Sequence, residues 1–265
     1  MAKAMLIDVS KCTGCRACQV ACKQWNDLPG EETVCWGSYE NPPDLSPITW
    51  NRVAFYEFDS ERPNVDGIAW AFRPVRCMHC LNAPCVEVCP TAALKFNPLG
   101  FVSYERDLCN GCGYCVQFCP FNIPRLEVTN ILTGAAKATK CHFCQDRAVS
   151  GEVPACPKTC APGAIQYGER SELMAEGQAR VEVLKGKGFA DANFYSPAGV
   201  GGTAMMYVLP YKPSVLGLPE APSVGLAPIW QGVLQPLGYA AVGLTAVGLA
   251  VNWFVARTRI KTEEA

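Results

Sequence analysis

Four groups of four cysteines, separated by stretches with almost no cysteine, are the residues of this sequence that could do chemistry. The third group has the spacing CxxCxxCxxxCP, and the first has the same spacing without the proline. Three thiolates two residues apart can wrap three corners of one [4Fe–4S] cubane, while the fourth points toward a neighbouring cluster. The groups are Cys12, Cys15, Cys18 and Cys22; Cys77, Cys80, Cys85 and Cys89; Cys109, Cys112, Cys115 and Cys119; and Cys141, Cys144, Cys156 and Cys160. This repeat predicts a protein that holds four [4Fe–4S] clusters.

Cross-pairing between the groups follows from the same rule, because each run lends its last cysteine to a companion cluster. Groups two and three are neighbours and should pair, so groups one and four must pair across the chain. The expected ligand sets are Cys12, Cys15, Cys18 and Cys160 (set A); Cys22, Cys141, Cys144 and Cys156 (set B); Cys77, Cys80, Cys85 and Cys119 (set C); and Cys89, Cys109, Cys112 and Cys115 (set D). Only Cys35 is left over, and we expect it to be a buried thiol that acts as a small hydrophobe.

Zinc is the alternative occupant of such groups. CxxC pairs form zinc ribbons, and Cys141 and Cys144 with Cys156 alone would be ambiguous. Zinc sites do not need three thiolates in a CxxCxxC row, so the whole set favours iron–sulfur clusters. His79 and His142 lie inside CxxC pairs, and we expect them to be hydrogen-bond donors near the clusters or exposed side chains rather than ligands.

Basic residues stand next to several of these cysteines, where a positive charge would favour a reduced cluster. They are Lys11, Arg16, Arg76 and Lys140. The sequence shows no catalytic nucleophile, acid–base pair or substrate pocket. It therefore predicts an electron-transfer protein that is not an enzyme by itself. The electron-donating substrate would be oxidised by another subunit.

Short elements must position these cysteines. Groups two and three are each followed by proline and a short apolar segment, Ala92–Phe96 and Asn122–Leu126, and group four by the related Gly163–Gly168. Such segments suit short strands, with a helical turn through each CxxxC. We predict an α+β fold of two ferredoxin-like (4Fe–4S) modules, one inserted in the other, plus one C-terminal transmembrane helix.

The predicted divisions follow the cysteine groups. They are residues 1–22, the first half of the outer ferredoxin module; 23–76, an insertion; 77–135, the inner two-cluster module; 136–170, the second half of the outer module; 171–225, a helix and strand extension; 226–256, the transmembrane helix; and 257–265, a cytoplasmic tail. Arg52–Phe58 resembles a strand, and a surface helix is expected from Ser171, as its N-cap, to about Lys187. Gly199–Leu209 suits a glycine-rich turn into a strand.

The membrane segment is predicted from charge and length. Residues 221–256 contain no charged side chain, and the 27 residues of Ile229–Val255 exceed the roughly 20 that span a bilayer core. Trp230, Tyr239 and Trp253 are interpreted as interface residues. The basic residues that follow place the C-terminus in the cytoplasm and the cysteine-rich body in the periplasm; they are Arg257, Arg259 and Lys261.

The route of export and the net charge indicate which kinds of partner to expect. Met1–Ser10 has no secretory signal pattern, and assembled clusters cannot pass an export channel unfolded, so export would require a partner with a twin-arginine signal. The 23 basic and 24 acidic side chains leave a net charge of −1. This balance argues against nucleic acid as a partner, because nucleic-acid binding relies on a positive surface.

Taken together, the chain resembles the four-cluster iron–sulfur (beta) subunits of molybdopterin oxidoreductases, and above all those of the membrane-bound respiratory formate dehydrogenases. The segments that carry the resemblance are Leu6–Asp27, Tyr39–Ser46, Cys112–Leu126, Pro154–Cys160 and Gly199–Pro210. One departure is Ala161, which follows Cys160 where the family usually has Cys-Pro, with the proline displaced to Pro162. We expect it to alter a turn rather than ligation.

The resemblance implies two partners. One is an alpha subunit with a molybdenum or tungsten bis-pterin and one cluster, which oxidises formate to CO2. The other is a membrane cytochrome b gamma subunit that passes electrons to quinone. It also implies that set A faces the catalytic subunit and that set C or set D faces a haem. The alternatives are the same role beside a polysulfide, sulfoxide or nitrate reductase, and a zinc-stabilised binding protein.

Overall fold

A four-stranded sheet separates the cysteine-bearing loops from one long surface helix in the computed structural model, which describes residues 2–59 and 67–263. The strands are β1 (Lys3–Asp8), β2 (Arg52–Asp59), β3 (Ile68–Val75), β4 (Leu94–Phe96), β5 (Val102–Tyr104), β6 (Arg125–Asn130), β7 (Ala135–Thr139), β8 (Ile165–Glu169), β9 (Asn193–Tyr195) and β10 (Met205–Leu209). The helices are α1 (Ala17–Trp25), α2 (Pro84–Glu87), α3 (Tyr114–Gln117), α4 (Gln145–Val149), α5 (Ala155–Lys158), α6 (Arg170–Gly186), α7 (Ala227–Ile229) and α8 (Gln235–Glu263).

The central sheet has the order β8-β1-β10-β9. Strand β1 runs antiparallel to β8 and parallel to β10, where Ile7 lies opposite Tyr207. Both faces of β1 are covered: Met5 and Ile7 pack in the large core with the cysteine loops, and Leu6 packs against α6 on the other face. The run of apolar residues in β1 follows from this burial, since a strand covered on both faces has no polar side.

Helix α6 confirms the predicted surface helix, with its first residue at Arg170 rather than at Ser171. Glu169 holds the N-cap position, and its side chain makes no capping hydrogen bond, so the assignment of Ser171 as N-cap was wrong. The helix lies close on the sheet at Gly177, where an added Cβ would stand 2.5 Å from the ring of Phe194 and 3.0 Å from Leu6. A larger residue at this position would push α6 off the sheet.

The insertion contains the predicted strand Arg52–Phe58 as part of the β2–β3 hairpin. The carboxylate of Glu40 accepts hydrogen bonds from Arg52 Nη1 at 2.6 Å and from the Phe55 N–H at 2.7 Å. Buried Gln19 of α1 donates to the Asn41 carbonyl at 3.0 Å. These contacts fix the insertion against the helix that carries Cys18 and Cys22.

The short elements around the other cysteines follow the predicted pattern closely. A helical turn runs through each CxxxC, as α2, α3 and α5. Strand β4 lies within Ala92–Phe96 and β8 overlaps Gly163–Gly168, whereas β6 begins only at Arg125. Pro124 explains the later start, because its missing N–H cannot join a ladder.

The C-terminal segment forms helix from Ala227 onward, with one π-helical turn over Trp230–Leu234 before α8. The stretch Ala227–Thr258 is long and apolar enough to cross a membrane. Helix α8 continues to Glu263, through most of the segment predicted as a tail. The side chains of Arg259 and Lys261 lie outside the described part of the chain, as do residues 264–265.

Candidate functional site

The thiols of each predicted set lie close enough to interact electrostatically, and such interactions also run between sets, from Cys18 to Cys156 and from Cys141 to Cys77. Electrostatic interactions join Cys12 with Cys15, Cys18 and Cys160; Cys22 with Cys141, Cys144 and Cys156; Cys85 with Cys77, Cys80 and Cys119; and Cys115 with Cys89, Cys109 and Cys112. Cys35 belongs to none of these groups and is exposed on an irregular stretch of the insertion. The expectation that Cys35 is a buried hydrophobe was therefore wrong.

Left-handed backbone lets the loops fold tightly around these thiols. Gly111 has φ +75°, and an added Cβ would stand 2.2 Å from the Ala136 carbonyl oxygen. Only glycine fits where the loop of set D presses on β7. His79, Phe143 and Cys144 also have positive φ although they carry side chains, at 48°, 67° and 46°. Such conformations are rare outside glycine and mark where the chain is constrained by its surroundings.

One turn recurs after the last cysteine of three runs. The third residue after the cysteine has a left-handed backbone, with φ of 52°, 51° and 63° at Ala92, Asn122 and Gly163. Its N–H donates to the cysteine carbonyl, from Ala92 to Cys89 at 3.4 Å, from Asn122 to Cys119 at 3.1 Å and from Gly163 to Cys160 at 3.1 Å. The Ala-Pro order at Ala161 leaves this turn intact, so the expected change of turn does not occur.

Hydrogen bonds reach several of the candidate ligand sulfurs, and in three of them the donor nitrogen lies within 3.4 Å of the sulfur. The Ala138 N–H donates to Cys109 Sγ at 3.3 Å, and the Ile165 N–H to Cys160 Sγ at 3.4 Å. The third donor is charged: Arg76 Nη1 lies 2.7 Å from Cys156 Sγ. Donors of this kind stabilise negative charge on the sulfur and help to set the potential of a thiolate-bound cluster.

Burial controls the protonation of the thiols. It raises the pKa of Cys12 and of Cys119 to about 11, and that of Cys115 and of Cys141 to about 12. Without a positive centre these sulfurs would keep their protons at neutral pH. Since thiolate is the form that binds metal, ligation must displace those protons.

The two histidines accept hydrogen bonds rather than donate them at Nδ1. His79 is fully buried and its Nδ1 accepts from the Val102 N–H at 3.3 Å, while burial lowers its pKa well below the usual value. His142 Nδ1 accepts from the Gln145 N–H at 3.2 Å, and burial lowers its pKa to about 4. Both imidazoles are therefore neutral supports of the loops, and neither is the exposed side chain that was one of the expectations.

The four basic residues beside ligands differ sharply in their surroundings. Lys11 is partly exposed and lies 3.9 Å from Asp8, and Arg16 stacks on the ring of Phe55. Arg76 and Lys140 are buried. Lys140 donates to the carbonyls of Val102 and Cys141, at 3.3 and 2.9 Å. Two cations thus lie inside the protein among the cysteine loops.

The residues of set B fit a bound iron–sulfur cluster. Cys22, Cys141, Cys144 and Cys156 line one cavity together with Asn51 and Arg76. The Asn51 side chain also lies within hydrogen-bonding reach of the Cys18 thiol of set A, and among the described residues no hydrogen-bond partner is found for Nε and Nη2 of Arg76. Soft thiolate donors and unpartnered N–H groups suit a cluster, whose sulfides accept hydrogen bonds.

A single zinc ion would place a stricter geometric demand on the same thiols. Zinc holds sulfur ligands at about 2.3 Å, which requires them to converge on one point. Within residues 2–59 and 67–263, no three His, Cys, Asp or Glu side chains are grouped closely enough to hold one ion.

Exposure distinguishes sets A and D from sets B and C. Cys15 of set A and Cys112 of set D are exposed, whereas sets B and C consist of buried or half-buried cysteines. Beside Cys15, Gly14 packs against the ring of Phe72, and an aromatic cluster formed by Tyr39, Phe55, Trp70 and Phe72 surrounds the loop. The aromatic richness of the insertion was visible in the sequence, but its place beside set A was not.

Trp230 lies beside set D. Its ring contacts Tyr114 and Phe118, which flank Cys115 in the third cysteine run. The sequence suggested a membrane-interface role for Trp230, and it gave no sign of this contact. The start of the C-terminal helix therefore lies against the loop of set D.

Two family models match the chain, and both are described as a 4Fe-4S dicluster domain. One covers residues 68–170 and the other residues 11–93. Together they include all four cysteine groups.

Curated proteins similar to the chain include three iron–sulfur subunits. The nitrate-inducible formate dehydrogenase iron-sulfur subunit of Escherichia coli (strain K12) is 42% identical over 255 residues, which cover 94% of this chain and 84% of that protein. The formate dehydrogenase iron-sulfur subunit of Haemophilus influenzae is 38% identical over 266 residues, covering 98% and 82%. The formate dehydrogenase-O iron-sulfur subunit of Escherichia coli (strain K12) is 42% identical over 248 residues, covering 92% and 79%.

Proposed function

The chain belongs to the family of formate dehydrogenase iron–sulfur subunits, and we propose that it conducts electrons from a formate-oxidising subunit to a membrane partner through its clusters in the order A, B, C, D. As a member of this family it is a non-catalytic electron-transfer subunit with four [4Fe–4S] clusters. The ligands are the sixteen cysteines of sets A to D. Each cluster, when bound, would carry one electron at a time. The chain provides the thiolate ligands and a largely buried environment.

The exposure pattern is the observation that carries this order. An electron must enter and leave at the surface, and Cys15 and Cys112 are the exposed members of the four sets. Sets A and D are therefore the ends. Electrostatic contacts between sets support the sequence of the middle: Cys18 of set A interacts with Cys156 of set B, and Cys141 of set B with Cys77 of set C.

The catalytic partner belongs at set A. Its chemistry is that of a molybdopterin subunit, with molybdenum or tungsten, that oxidises formate. The names of the relatives support formate as the fuel, over the polysulfide, sulfoxide or nitrate reductases that the same conductor could serve. Around Cys15, the exposed rings of Tyr39 (65% exposed) and Trp70 (45% exposed) offer the aromatic surface typical of a protein interface.

The membrane partner belongs at set D, and it is a cytochrome b subunit that receives electrons for quinone. Support comes from Trp230, since its contacts with Tyr114 and Phe118 keep the base of the membrane helix beside Cys112 and Cys115. Between sets C and D, the cluster nearer the haem is therefore that of set D.

The C-terminal helix anchors the subunit in the cell inner membrane. The basic residues after it favour a cytoplasmic C-terminus and a periplasmic cluster body, carried out by a partner with a twin-arginine signal. Protease treatment of spheroplasts tests this orientation. Digestion of the body in intact spheroplasts is expected, and digestion only after lysis would contradict it.

Purification of the complex through the chain tests the function. The copurifying large subunit should reduce a dye with formate, and formate should reduce four EPR-active centres. In a C15S variant formate should fail to reduce the centres beyond set A, whereas in C112S it should reduce those of A, B and C while quinone stays oxidised. C35S is the control and should match the wild type. A complex active only on another substrate would contradict formate as the substrate of the partner. Wild-type reduction of the centres in C15S would contradict set A as the point where electrons enter.

A further inference from the structure

Arg76 lies at the centre of the cysteine array. It follows β3 directly, it is 1% exposed, and it is among the largest fully buried side chains of the described residues. Its Nη1 is 2.7 Å from Sγ of Cys156 in set B. Its charge also acts on Cys18 of set A and on Cys141 of set B, and Cys77 of set C is the next residue in the chain.

No carboxylate balances this charge. None of the ion pairs within the described ranges includes Arg76, and besides the thiols it interacts with the hydroxyl of Tyr207, which carries no charge. The nearby Tyr207 hydroxyl donates to the Pro74 carbonyl at 2.8 Å. An arginine cannot shed its proton in a protein. A buried, uncompensated charge is strongly destabilising, so the fold must supply a negative charge at this place.

The thiolate sets are the negative charge within reach. A cubane held by four thiolates is anionic, and one-electron reduction adds one further negative charge without making or breaking a bond. A fixed cation therefore stabilises the reduced form more than the oxidised form.

We propose that Arg76 is the internal counter-charge of the cluster held by set B, and that it raises the reduction potential of this cluster. The proposal rests on the ligand sets given above. Arg76 does not bind iron. It acts through its contact with Cys156, where its charge stabilises the reduced cluster. The set B cluster then holds an electron more readily than its thiolates alone would allow.

The other basic residues near ligands do not meet all of these conditions. Lys140 is buried too, but its ammonium donates to the carbonyls of Val102 and Cys141 and not to a thiol. Lys11 is near Asp8, and Arg16 is only half-buried over Phe55. Arg73, three residues earlier, is buried as Arg76 is, but it donates to the Leu216 carbonyl at 2.7 Å and to Tyr56 Oη at 3.1 Å instead of to a thiol. Arg73 is thus a matched control on the same hairpin.

The test is an EPR-monitored redox titration of the purified complex with R76K, R76Q and R76M. Lysine keeps the charge, glutamine keeps an N–H donor without charge, and methionine keeps neither. The C156S variant identifies the set B centre by the signal that it changes. Iron is measured alongside; the four cubanes of this chain account for about sixteen irons, in addition to the iron of the partner subunits.

The counter-charge requires that the midpoint of the set B centre fall in R76Q and R76M, stay near the wild-type value in R76K, and stay unchanged in R73M. If R76M and R76Q lose that one centre while R76K keeps all four at wild-type midpoints, the result also supports the proposal. Unchanged midpoints in all three Arg76 variants would overturn it. So would a wild-type midpoint in R76Q beside a lowered one in R76K, since the hydrogen bond and not the charge would then matter, or an equal shift in R73M.

Failure of the ligand sets would look different. If C156S changed no centre, or if the wild type lacked four centres, the proposed sets would be wrong whatever the Arg76 variants did. If all four centres were intact and their midpoints did not respond to substitution of Arg76, only the counter-charge proposal would be wrong.

Discussion

The indole ring of Trp230, in the first turns of the membrane segment, packs edge-on against the ring of Tyr114 with centroids 5.5 Å apart. Tyr114 lies between Cys112 and Cys115, so the contact links the helix to the loop of set D. Trp230 contacts Phe118 at the same centroid distance. We expect W230A to lose about 1–3 kcal/mol of contact energy from the two ring pairs. Formate-to-quinone activity should fall, while formate-to-dye activity stays at the wild-type level.

The control is Trp253, farther along the helix, whose ring contacts Phe254 and Arg257 rather than the cluster body. W253A should leave the ratio of quinone to dye activity unchanged. An unchanged ratio in W230A would show that the Trp230 contact does not serve transfer to the membrane.

Cys35 should be the one reactive thiol of the loaded protein. Seventeen cysteines less sixteen ligands leave one, and Cys35 is exposed on the insertion. Alkylation of the native holoprotein, read by mass spectrometry, should add one label per chain, and C35S should add none with its iron content unchanged. A label on any of the sixteen others in fully loaded protein would contradict the assignment of that residue.

Cross-pairing can be tested with two cysteines of one short run. Cys156 and Cys160 are four residues apart, yet Cys156 lies with Cys22 and Cys160 with Cys12. C160S should alter the same EPR centre as C12S, and C156S a different one. The idea fails if C156S and C160S change one and the same centre.

The Glu40 carboxylate should be important for stability. It is mostly buried, and it accepts from Arg52 Nη1 and the Phe55 N–H. E40Q leaves Arg52 without a counter-charge, and we expect a cost of about 1–3 kcal/mol. The measurement is the temperature at which the visible absorbance of the clusters disappears. The control is E57Q, at an exposed position on β2, the strand that carries Arg52 and Phe55. It should stay within about 0.5 kcal/mol of the wild type.

The local features of the sites could be predicted from the sequence because spacing encodes them. Helical turns through the CxxxC segments and strands β4 and β8 appear where the residue pattern predicts them. The turn after Cys160 survives the Ala-Pro exchange because Gly163 still supplies the left-handed residue. Turn geometry depends on that one position more than on the proline.

Features that depend on tertiary placement could not be predicted. The sequence puts Lys11, Arg16, Arg76 and Lys140 in equivalent places beside cysteines, and only packing makes Arg76 and Lys140 buried. The same holds for Cys35, which packing leaves exposed, and for Trp230, whose partners lie more than a hundred residues earlier.

Strand β1 is hydrogen-bonded on both edges by strands that begin at Ile165 and Met205. Strand β1 therefore cannot pair on both edges until residues 165–209 have been synthesised. Sets C and D draw every thiol from Cys77 to Cys119, so the inner loops are complete early in translation. The cysteines from Cys12 to Cys22 wait for Cys141 to Cys160, and a chain stalled before that point exposes them to oxidation and proteolysis. With the proposed ligand sets, we expect the two inner sites to be complete before the two outer ones, in an order set by the topology.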